Sequence, residues 1–208
     1  PVNRSWRNSS IGAAERPKQR WSTVMQNEFD ALRWRLARGE PVAPGRVLQA
    51  KVEAEIAFVL ERDLTVEQAT VADLMRSIGY ATAAIEIVGS RIANWDIRLI
   101  DTVADNASSG LFVLGNTPYR LAGLDLRDCT MQMTRGDETV STGVGHACLG
   151  HPLNAALWLA RKMVEVGRPL QAGDIILSGA LGPMVAAKSG EVFEAQIEGL
   201  GSVRAAFG

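Results

Sequence analysis

Residues Lys51–Leu60 read KVEAEIAFVL, and this segment is the most informative part of the sequence about the fold. Because successive side chains of a strand point to opposite faces, this stretch predicts a strand with one apolar face and one face that holds Glu53 and Glu55. Two like charges are thereby forced together inside a run that otherwise has the composition of a protein core. The alternative interpretation is an antiparallel strand whose polar face is open to water.

A third acid, Glu86, lies in a second apolar run of strand-like composition, Ala84–Val88. Burial of a carboxylate is costly unless the group is protonated, paired or bound to a metal ion. Three convergent carboxylates offer hard oxygen ligands, which suit Mg²⁺ or Mn²⁺ better than Zn²⁺, and no Cys or His stands at zinc-ligand spacing here. The pattern therefore favours a divalent-metal site formed by Glu53, Glu55 and Glu86.

The chain has 208 residues, of which 47% are hydrophobic, and a net charge of −1. This length suffices for one sizeable core. The near-neutral charge gives no reason to expect a nucleic acid or a membrane as a partner. Cys129 and Cys148 are the only cysteines, and the sequence has no apolar segment of signal or membrane-spanning character. We therefore expect a reduced, cytoplasmic location, with both thiols buried as small apolar groups.

Residues 1–45 form the least regular part of the sequence. They are rich in Arg and Trp, and one stretch, about residues 23–36, has helical character. This mixture alone is weak support for a nucleic-acid surface, because no binding motif accompanies it. We expect a divergent or truncated N-terminal segment over 1–45 and a metal-dependent catalytic domain over 46–208.

From residue 46 onward, short strand-like runs alternate with turns that contain glycine. A helix over Pro152–Val166 is predicted by an apolar stripe, a proline at the first position and Gly167 as its stop. A second helix is predicted over Val66–Ile78 with Thr65 as its cap. The polar segment Asp101–Gly110 is typical of a loop. Many short strands and few helices favour an α+β, mainly β fold, with a curled or sandwiched sheet and flanking helices.

Five landmarks follow one another along the chain: Glu53-Ala-Glu55, Glu86-Ile-Val-Gly-Ser-Arg91, Asp101–Gly110, Leu149–Ala155 and Ala172–Met184. In this order they resemble the fumarylacetoacetate hydrolase superfamily, and within it the 2-hydroxypenta-2,4-dienoate (2-keto-4-pentenoate) hydratases of aromatic meta-cleavage pathways. The resemblance covers about residue 46 to the C-terminus. It implies the curled mixed β-sheet, or roll, of that superfamily, and a Mg²⁺ or Mn²⁺ ion held by Glu53, Glu55 and Glu86.

The resemblance also implies a reaction. A bound cation would neutralise the carboxylate end of a small 2-hydroxy-dienoate or 2-oxo acid and polarise its 2-oxo group. Ketonisation of the dienol, followed by addition of water at C4, would give a 4-hydroxy-2-oxo acid. A general acid or base is needed near the reacting carbons, and the polar loop offers Asp105, Asn106 and Ser108, with Asp101 behind them. A purely structural loop of Asx turns is the alternative.

Candidates for binding the substrate lie in two further segments. Arg91 is predicted to orient Glu86, to meet the substrate carboxylate, or to form a surface ion pair. A glycine-rich segment is predicted to bind the same carboxylate, because glycine permits close approach of the backbone. Its candidate residues are Ser178, Gly179, Leu181 and Gly182.

The chain departs from the family at its N-terminus. Hydratases of this family carry a Gly-Arg-Lys-Val-Gly-like strand whose lysine reaches the active site, and a later segment that supplies an acid. The counterparts offered here are Lys18 and Glu28, neither in a matching context. A 4-oxalocrotonate-type decarboxylase, an acylpyruvate hydrolase and a catalytically weakened assembly subunit therefore stay open as alternatives. Because relatives form homo-oligomers and hydratase–decarboxylase complexes, we expect a homo-oligomer, with a neighbouring pathway enzyme as a further partner.

Overall fold

The structure is a computed structural model, and it describes residues 23–25, 36 and 39–208. The described residues contain ten strands: β1 (Thr23–Met25), β2 (Lys51–Leu60), β3 (Ile78–Val88), β4 (Leu111–Leu114), β5 (Thr130–Arg135), β6 (Glu138–Val144), β7 (Ile175–Leu177), β8 (Val185–Ala186), β9 (Val192–Ile197) and β10 (Gly201–Ala206). Their α-helices are α1 (Val71–Ser77), α2 (Leu99–Ala104) and α3 (Pro152–Glu165). Short 3₁₀ turns occur at Ala93–Trp95, Asn106–Ser108 and Gly145–Ala147.

The strands form two sheets. One has the order β1-β7-β2-β3-β4, with β8 also paired to β2, and the other has the order β10-β9-β5-β6. The ladders between described strands are antiparallel, and an isolated parallel bridge joins Val42 to Phe207. Strands dominate and helices are few, as the sequence predicts.

The main core lies on one face of β2 and β3. The β2 side chains on this face are those expected from the alternation: Val52, Ala54, Ile56, Phe58 and Leu60. Apolar side chains of the second sheet, among them Met133 and Phe193, belong to the same core. Full burial of a side chain such as Phe58 stabilises the fold by about 1.5–3 kcal/mol. Packing of one sheet on the other therefore fixes which face of β2 is apolar.

The opposite face of β2 and β3 carries a smaller apolar cluster. Its buried members are Ala57, Ala84, Phe112, Ile175 and Leu177, contributed by β2, β3, β4 and β7. The acids Glu53, Glu55 and Glu86 share this face, because they occupy the same alternate positions of β2 and β3 as Ala57 and Ala84. The acidic group thus continues a face that is otherwise apolar and buried.

The helix α3 confirms the prediction from the sequence. It begins at Pro152, and the Nδ1 atom of His151 accepts a hydrogen bond from the Leu153 amide at 3.0 Å. Burial lowers the pKa of His151, which favours the neutral ring that this cap requires. Gly167 follows the helix with a φ of 76°. His151 therefore acts as a structural cap.

Two predictions about helix boundaries are wrong. The helix α1 begins at Val71, because Thr70 and Asp73 form a reciprocal capping box, whereas the sequence suggested a start after Thr65. The segment Asp101–Gly110 is not a plain loop, since α2 extends to Ala104. Asp101 accepts the Arg98 amide at 2.8 Å and thereby caps α2.

The helical prediction for residues 23–36 is wrong at its start. Thr23–Met25 form a strand that pairs with Leu177, Ile176 and Ile175 of β7. Pairing with an existing sheet edge outweighs local helix propensity. Residues 26–35 lie outside the described residues, as do Lys18 and Glu28. The predicted boundary at residue 45 stays a prediction.

Of the helices within the described ranges, none has the length and apolar character needed to cross a lipid bilayer.

Candidate metal centre and active site

The three acids meet because of the register between β2 and β3. Glu53 stands directly opposite Glu86 in this antiparallel pair, and Glu55 follows two residues later on the same face. Side chains directly opposite each other have Cβ atoms about 4.5–5.5 Å apart. The carboxylate oxygens of the three residues lie within 4.8 Å of one another. The structure therefore brings together all three predicted metal ligands.

Burial makes it costly to ionise the carboxyl groups of this cluster. Glu55 is 1% exposed and Glu86 is 4% exposed, whereas Glu53 is half-buried. Burial, and after it the negative charges of Glu86 and Glu53, raises the pKa of the Glu55 carboxyl well above its usual value. A group in this position favours either a proton or a bound cation. The donors are all carboxylate oxygens, which is the ligand type that fits Mg²⁺ or Mn²⁺.

Glu55 is held from the side of β7. The Gly179 amide donates a hydrogen bond to Oε2 of Glu55 at 2.7 Å. This bond opposes the rise in the Glu55 pKa. The Ser178 hydroxyl accepts the Ile56 amide at 3.1 Å and donates to the Gly179 carbonyl at 3.1 Å. Ser178 and Gly179 thus support β2 and Glu55, and their predicted role in substrate binding stays a prediction.

The rest of the glycine-rich segment packs tightly behind the acids. The Leu181 amide donates to the Ala54 carbonyl at 3.0 Å, and the Leu181 side chain is buried in the main core. A Cβ atom on Gly182 would lie 2.6 Å from the Thr142 carbonyl, so only glycine fits at this position without a shift of the backbone. Leu181 and Gly182 therefore have clear structural roles, and their substrate contacts are untested predictions.

A cavity of about 170 Å³ opens beside the acids. Its lining residues are Glu53, Glu86, Val88, Trp95, Ile97, Thr102, Ala107, Ser108, Ala180 and Met184. One wall is the acidic face of β2 and β3, and the opposite wall comes from residues 95–108. We call residues 95–108 the cap of the cavity, as distinct from the residues that cap helices. The lining is mostly apolar with a few polar groups, which is the composition of a small-molecule site.

The three predicted catalytic residues of the cap occupy different environments. Asp105 pairs with Arg91, and Asn106 donates from Nδ2 to the Ser109 hydroxyl at 2.9 Å. Ser108 lines the cavity, and its buried hydroxyl has no hydrogen-bond partner among the described residues. Of these three candidates, Ser108 therefore has the position that a group acting on a substrate requires.

The observed contacts of Arg91 are to the cap, and its predicted contacts to Glu86 and to the substrate carboxylate stay predictions. Its guanidinium forms an ion pair with the Asp105 carboxylate, and the Arg91 amide also donates to Asp105 at 3.3 Å. Arg91 lines a separate cavity of about 470 Å³, to which no residue of the cap contributes. The ion-pair alternative is thus the one observed, and it ties the C-terminal end of the cap to the end of β3.

Backbone conformations that are rare for residues other than glycine cluster in this cap. Trp95, Ala107 and Ser108 have φ values of 56°, 57° and 61°, and all three line the cavity. Such left-handed conformations cost energy and occur mostly where tertiary contacts impose them. The Gly89 amide, which donates to the Ser108 carbonyl at 2.9 Å, is one such contact.

Trp95 is a site residue that the sequence did not identify. Its indole Nε1 donates to the Gln49 carbonyl at 2.9 Å, and the ammonium of Lys51 lies 4.1 Å from its ring centroid. Lys51 shares the face of β2 with Glu53 and Glu55, so the alternation that located the acids also locates Lys51. The signal for Trp95 was weaker: an aromatic residue soon after the strand of Glu86, in a segment without periodicity.

Together these features define a class of protein: a mainly β fold in which a largely buried cluster of three carboxylates, able to hold a divalent cation, lies beside a small cavity. The chain matches the fumarylacetoacetate (FAA) hydrolase C-terminal family over residues 19–207. It therefore belongs to the fumarylacetoacetate hydrolase family, as the resemblance predicted.

Two of the proteins that are similar to this chain are named hydratases. A 2-keto-4-pentenoate hydratase of Dechloromonas aromatica is 65% identical over 169 residues, which are 81% of this chain and 64% of the relative. The TodF product hydratase of Pseudomonas putida is 59% identical over 199 residues, covering 95% of this chain and 74% of the relative. The chain thus spans slightly less than two thirds of the first relative's length.

A solved structure of similar fold is 4-oxalocrotonate decarboxylase from Pseudomonas putida G7, complexed with magnesium and adipate. The TM-score is 0.79 at 33% sequence identity, and the match covers 84% of this chain and 66% of that chain. This agreement confirms the predicted fold class.

Proposed function

We propose that this chain acts as a divalent-metal-dependent hydro-lyase that converts 2-hydroxypenta-2,4-dienoate to 4-hydroxy-2-oxopentanoate in the degradation of aromatic compounds. The observation that carries the proposal is the convergence of three carboxylates within 4.8 Å beside a small, mostly apolar cavity. Relatives named as 2-keto-4-pentenoate hydratases support the choice of reaction.

Glu53, Glu55 and Glu86 would hold the cation, for which we propose Mg²⁺ or Mn²⁺. When bound, such a cation supplies positive charge that polarises a 2-oxo acid and stabilises developing enolate charge. The chain's own contribution is to keep the three acids converged and to offset part of the rise in the Glu55 pKa. The β2–β3 ladder provides the convergence, and the Gly179 amide stabilises negative charge on Glu55.

We assign Ser108 the role of holding or moving a proton at the substrate carbons. Its hydroxyl is buried at the cavity wall opposite the acids and is not engaged by a described protein group. A buried hydroxyl without a partner is costly, so a substrate or water that bonds to it would recover that energy. The Asp105–Arg91 ion pair and Asn106 would keep the turn that carries Ser108 in place.

Trp95 would form the wall against which the conjugated chain of the substrate lies. Lys51 and Gln49 contact the indole and hold the ring at the cavity. A flat aromatic wall suits a planar diene, and the apolar contacts of Ile97 and Met184 would exclude water from the remaining surface.

The direct test is an assay of the purified chain with Mg²⁺ or Mn²⁺ and 2-hydroxypenta-2,4-dienoate. We expect loss of the dienol absorbance and formation of 4-hydroxy-2-oxopentanoate, identified by NMR. A chelator should abolish turnover, and added metal should restore it. Metal binding without turnover would contradict the catalytic proposal and favour a weakened subunit retained for assembly.

A 4-oxalocrotonate-type decarboxylase is the second candidate, and the solved structure of that enzyme at a TM-score of 0.79 favours it. Both reactions use a small 2-oxo acid with a conjugated chain. Release of CO₂ from 4-oxalocrotonate, measured beside hydration of the pentadienoate, would separate them. An acylpyruvate hydrolase would instead give two carboxylic acids from one acylpyruvate.

We further propose a homo-oligomer, with a neighbouring pathway enzyme as a partner, in the cytoplasm. Exposed apolar side chains on α2, namely Leu99, Ile100 and Val103, are consistent with contact to another chain. Light scattering of the chain alone and with a cognate decarboxylase would test this assembly.

A further inference from the structure

One buried thiol lies directly behind the acidic cluster. Cys148 follows the 3₁₀ turn Gly145–Ala147, and its Sγ atom lies 2.6 Å from the Ser178 carbonyl oxygen, to which the thiol donates. Cys148 belongs to the main core and does not line the cavity beside the acids. It is therefore placed to influence the site only through the groups that it touches.

One group that the thiol touches is the peptide unit that holds Glu55. The carbonyl of Ser178 and the amide of Gly179 are the two ends of one peptide bond. Cys148 contacts the carbonyl end, and the amide end donates to Oε2 of Glu55 at 2.7 Å. A planar peptide transmits both contacts, since rotation of its plane moves the carbonyl and the amide together.

We propose that Cys148 is a positioning residue for the metal centre, which holds the Ser178–Gly179 peptide so that its amide points at Glu55. This inference rests on the metal site proposed above. A hydrogen bond to a peptide carbonyl also polarises the amide of the same peptide, which strengthens the bond that the amide donates. Cys148 thus sets both the direction and the strength of the contact to the carboxylate.

The local backbone explains why such a contact is needed. Gly179 has a φ of 95°, a conformation that glycine adopts freely and that no side chain restrains. The Ser178 hydroxyl binds the Ile56 amide and the Gly179 carbonyl, both of which belong to other peptide units than the one behind Glu55. The space where a Cβ of Gly179 would stand is 3.4 Å from Sγ of Cys148. The thiol therefore packs against the side of the turn from which a side chain of residue 179 would project.

The second cysteine provides a matched control. Cys129 is equally buried in the same core, and its Sγ donates to the Leu126 carbonyl at 3.5 Å. Its contact is to the segment before β5 and not to the peptide behind Glu55. Removal of either thiol takes one sulfur from the core, but only removal of Cys148 releases the Ser178–Gly179 peptide.

The experiment measures Mn²⁺ affinity by isothermal titration calorimetry for the whole chain, with Cys148→Ala, Cys148→Ser and Cys129→Ala beside the wild type. We expect Cys148→Ala to weaken Mn²⁺ binding by roughly threefold to tenfold, somewhat less than the loss of a direct outer-shell partner. Serine keeps a donor, and its oxygen would lie slightly farther from the carbonyl, within ordinary hydrogen-bond reach. Cys148→Ser should therefore restore affinity to within about twofold of the wild type.

Cys129→Ala should leave the Mn²⁺ affinity unchanged, even if the thermal midpoint falls as much as in Cys148→Ala. Should Cys148→Ala not fold, Cys148→Val is the second donor-free variant, because it fills the space of the thiol. Wild-type affinity in a folded donor-free variant, or an equal loss in Cys129→Ala, would overturn the positioning role. Absence of Mn²⁺ binding in the wild type would instead overturn the metal site itself.

Discussion

The two walls of the cavity are built in opposite ways. The acidic wall consists of side chains on β2 and β3, two neighbouring strands whose backbones are paired along their length. The cap, residues 95–108, consists of short helical turns in which Trp95, Ala107 and Ser108 adopt left-handed conformations. Regular pairing places the acids without strain, whereas each left-handed residue costs of order 1 kcal/mol that other contacts must offset.

The two walls also differ in how they are covered. Glu55 and Glu86 are almost fully buried, while three apolar side chains of α2 in the cap are exposed: Leu99 at 63%, Ile100 at 80% and Val103 at 67%. Elements with few buried apolar contacts open locally at lower free energy than core strands. We therefore expect the acidic wall, which forms the floor of the cavity, to be rigid and the cap to be easier to alter. Four predictions test this difference between the floor and the cap.

The largest effect is expected at the floor. Glu55→Gln should weaken Mn²⁺ binding and turnover by more than about 100-fold, because it removes a ligand and not merely an outer-shell partner. At a pH above the raised pKa of Glu55, the same variant should raise the melting temperature of the metal-free protein, since a buried negative charge beside Glu53 and Glu86 disappears. Calorimetric metal titration and thermal melts measure the two effects. Glu61→Gln, just beyond the end of β2, is the control that should change neither.

Ser108→Ala tests the part of the cap that faces the substrate. We expect kcat to fall about 100-fold, the usual contribution of a group that transfers protons, with Mn²⁺ affinity unchanged. The melting temperature of the substrate-free protein should rise, because the substitution removes a buried hydroxyl that has no partner among the described residues. Ser109→Ala should show the reverse stability effect, because the Ser109 hydroxyl bonds both to Asn106 Nδ2 and to the Asn106 carbonyl. Its loss should cost about 1 kcal/mol. Full activity of Ser108→Ala would remove Ser108 from the reaction.

Trp95→Ala should raise KM about tenfold, which corresponds to about 1.4 kcal/mol of lost contact with the substrate. Metal affinity should stay unchanged, because Trp95 belongs to the cap and not to the floor. Lys51→Met should raise KM by only about threefold, since a cation–π contact at a partly exposed site contributes about 0.5–1 kcal/mol. Steady-state kinetics beside metal titration checks both. Weakened metal binding in Trp95→Ala would mean that the two walls are not independent.

The smallest effect is a pH dependence that belongs to the floor. Because burial and neighbouring charges raise the Glu55 pKa, this group stabilises the metal-free fold fully below its unfolded pKa. That stability is lost as the pH rises through the raised folded pKa. Metal and proton compete for the same oxygens, so the metal-induced rise in melting temperature should grow with pH. Melts with and without Mn²⁺ across this window measure it, and Glu55→Gln should show a flat difference.

Prediction from the sequence succeeded where apolar side chains recur with the regular spacing of a strand or a helix. The alternation in Lys51–Leu60 located both acids of β2 and the core residues opposite them. The apolar stripe, the proline and the glycine of α3 located its ends to within one residue. Prediction failed at Thr23–Met25 and at the start of α1, where a sheet edge and a competing capping box decided the outcome.

The alternation in the sequence is enough to place Glu53 and Glu55 on one face of a strand, because the two-residue period is a property of the extended backbone. The convergence of Glu86 on them was an expectation until the β2–β3 register placed it opposite Glu53. Long-range packing, by contrast, brings Ser108 and Trp95 to the same cavity as the acids and places Cys148 and Gly179 behind Glu55. These contacts join segments far apart in the chain through irregular backbone, for which no local pattern exists.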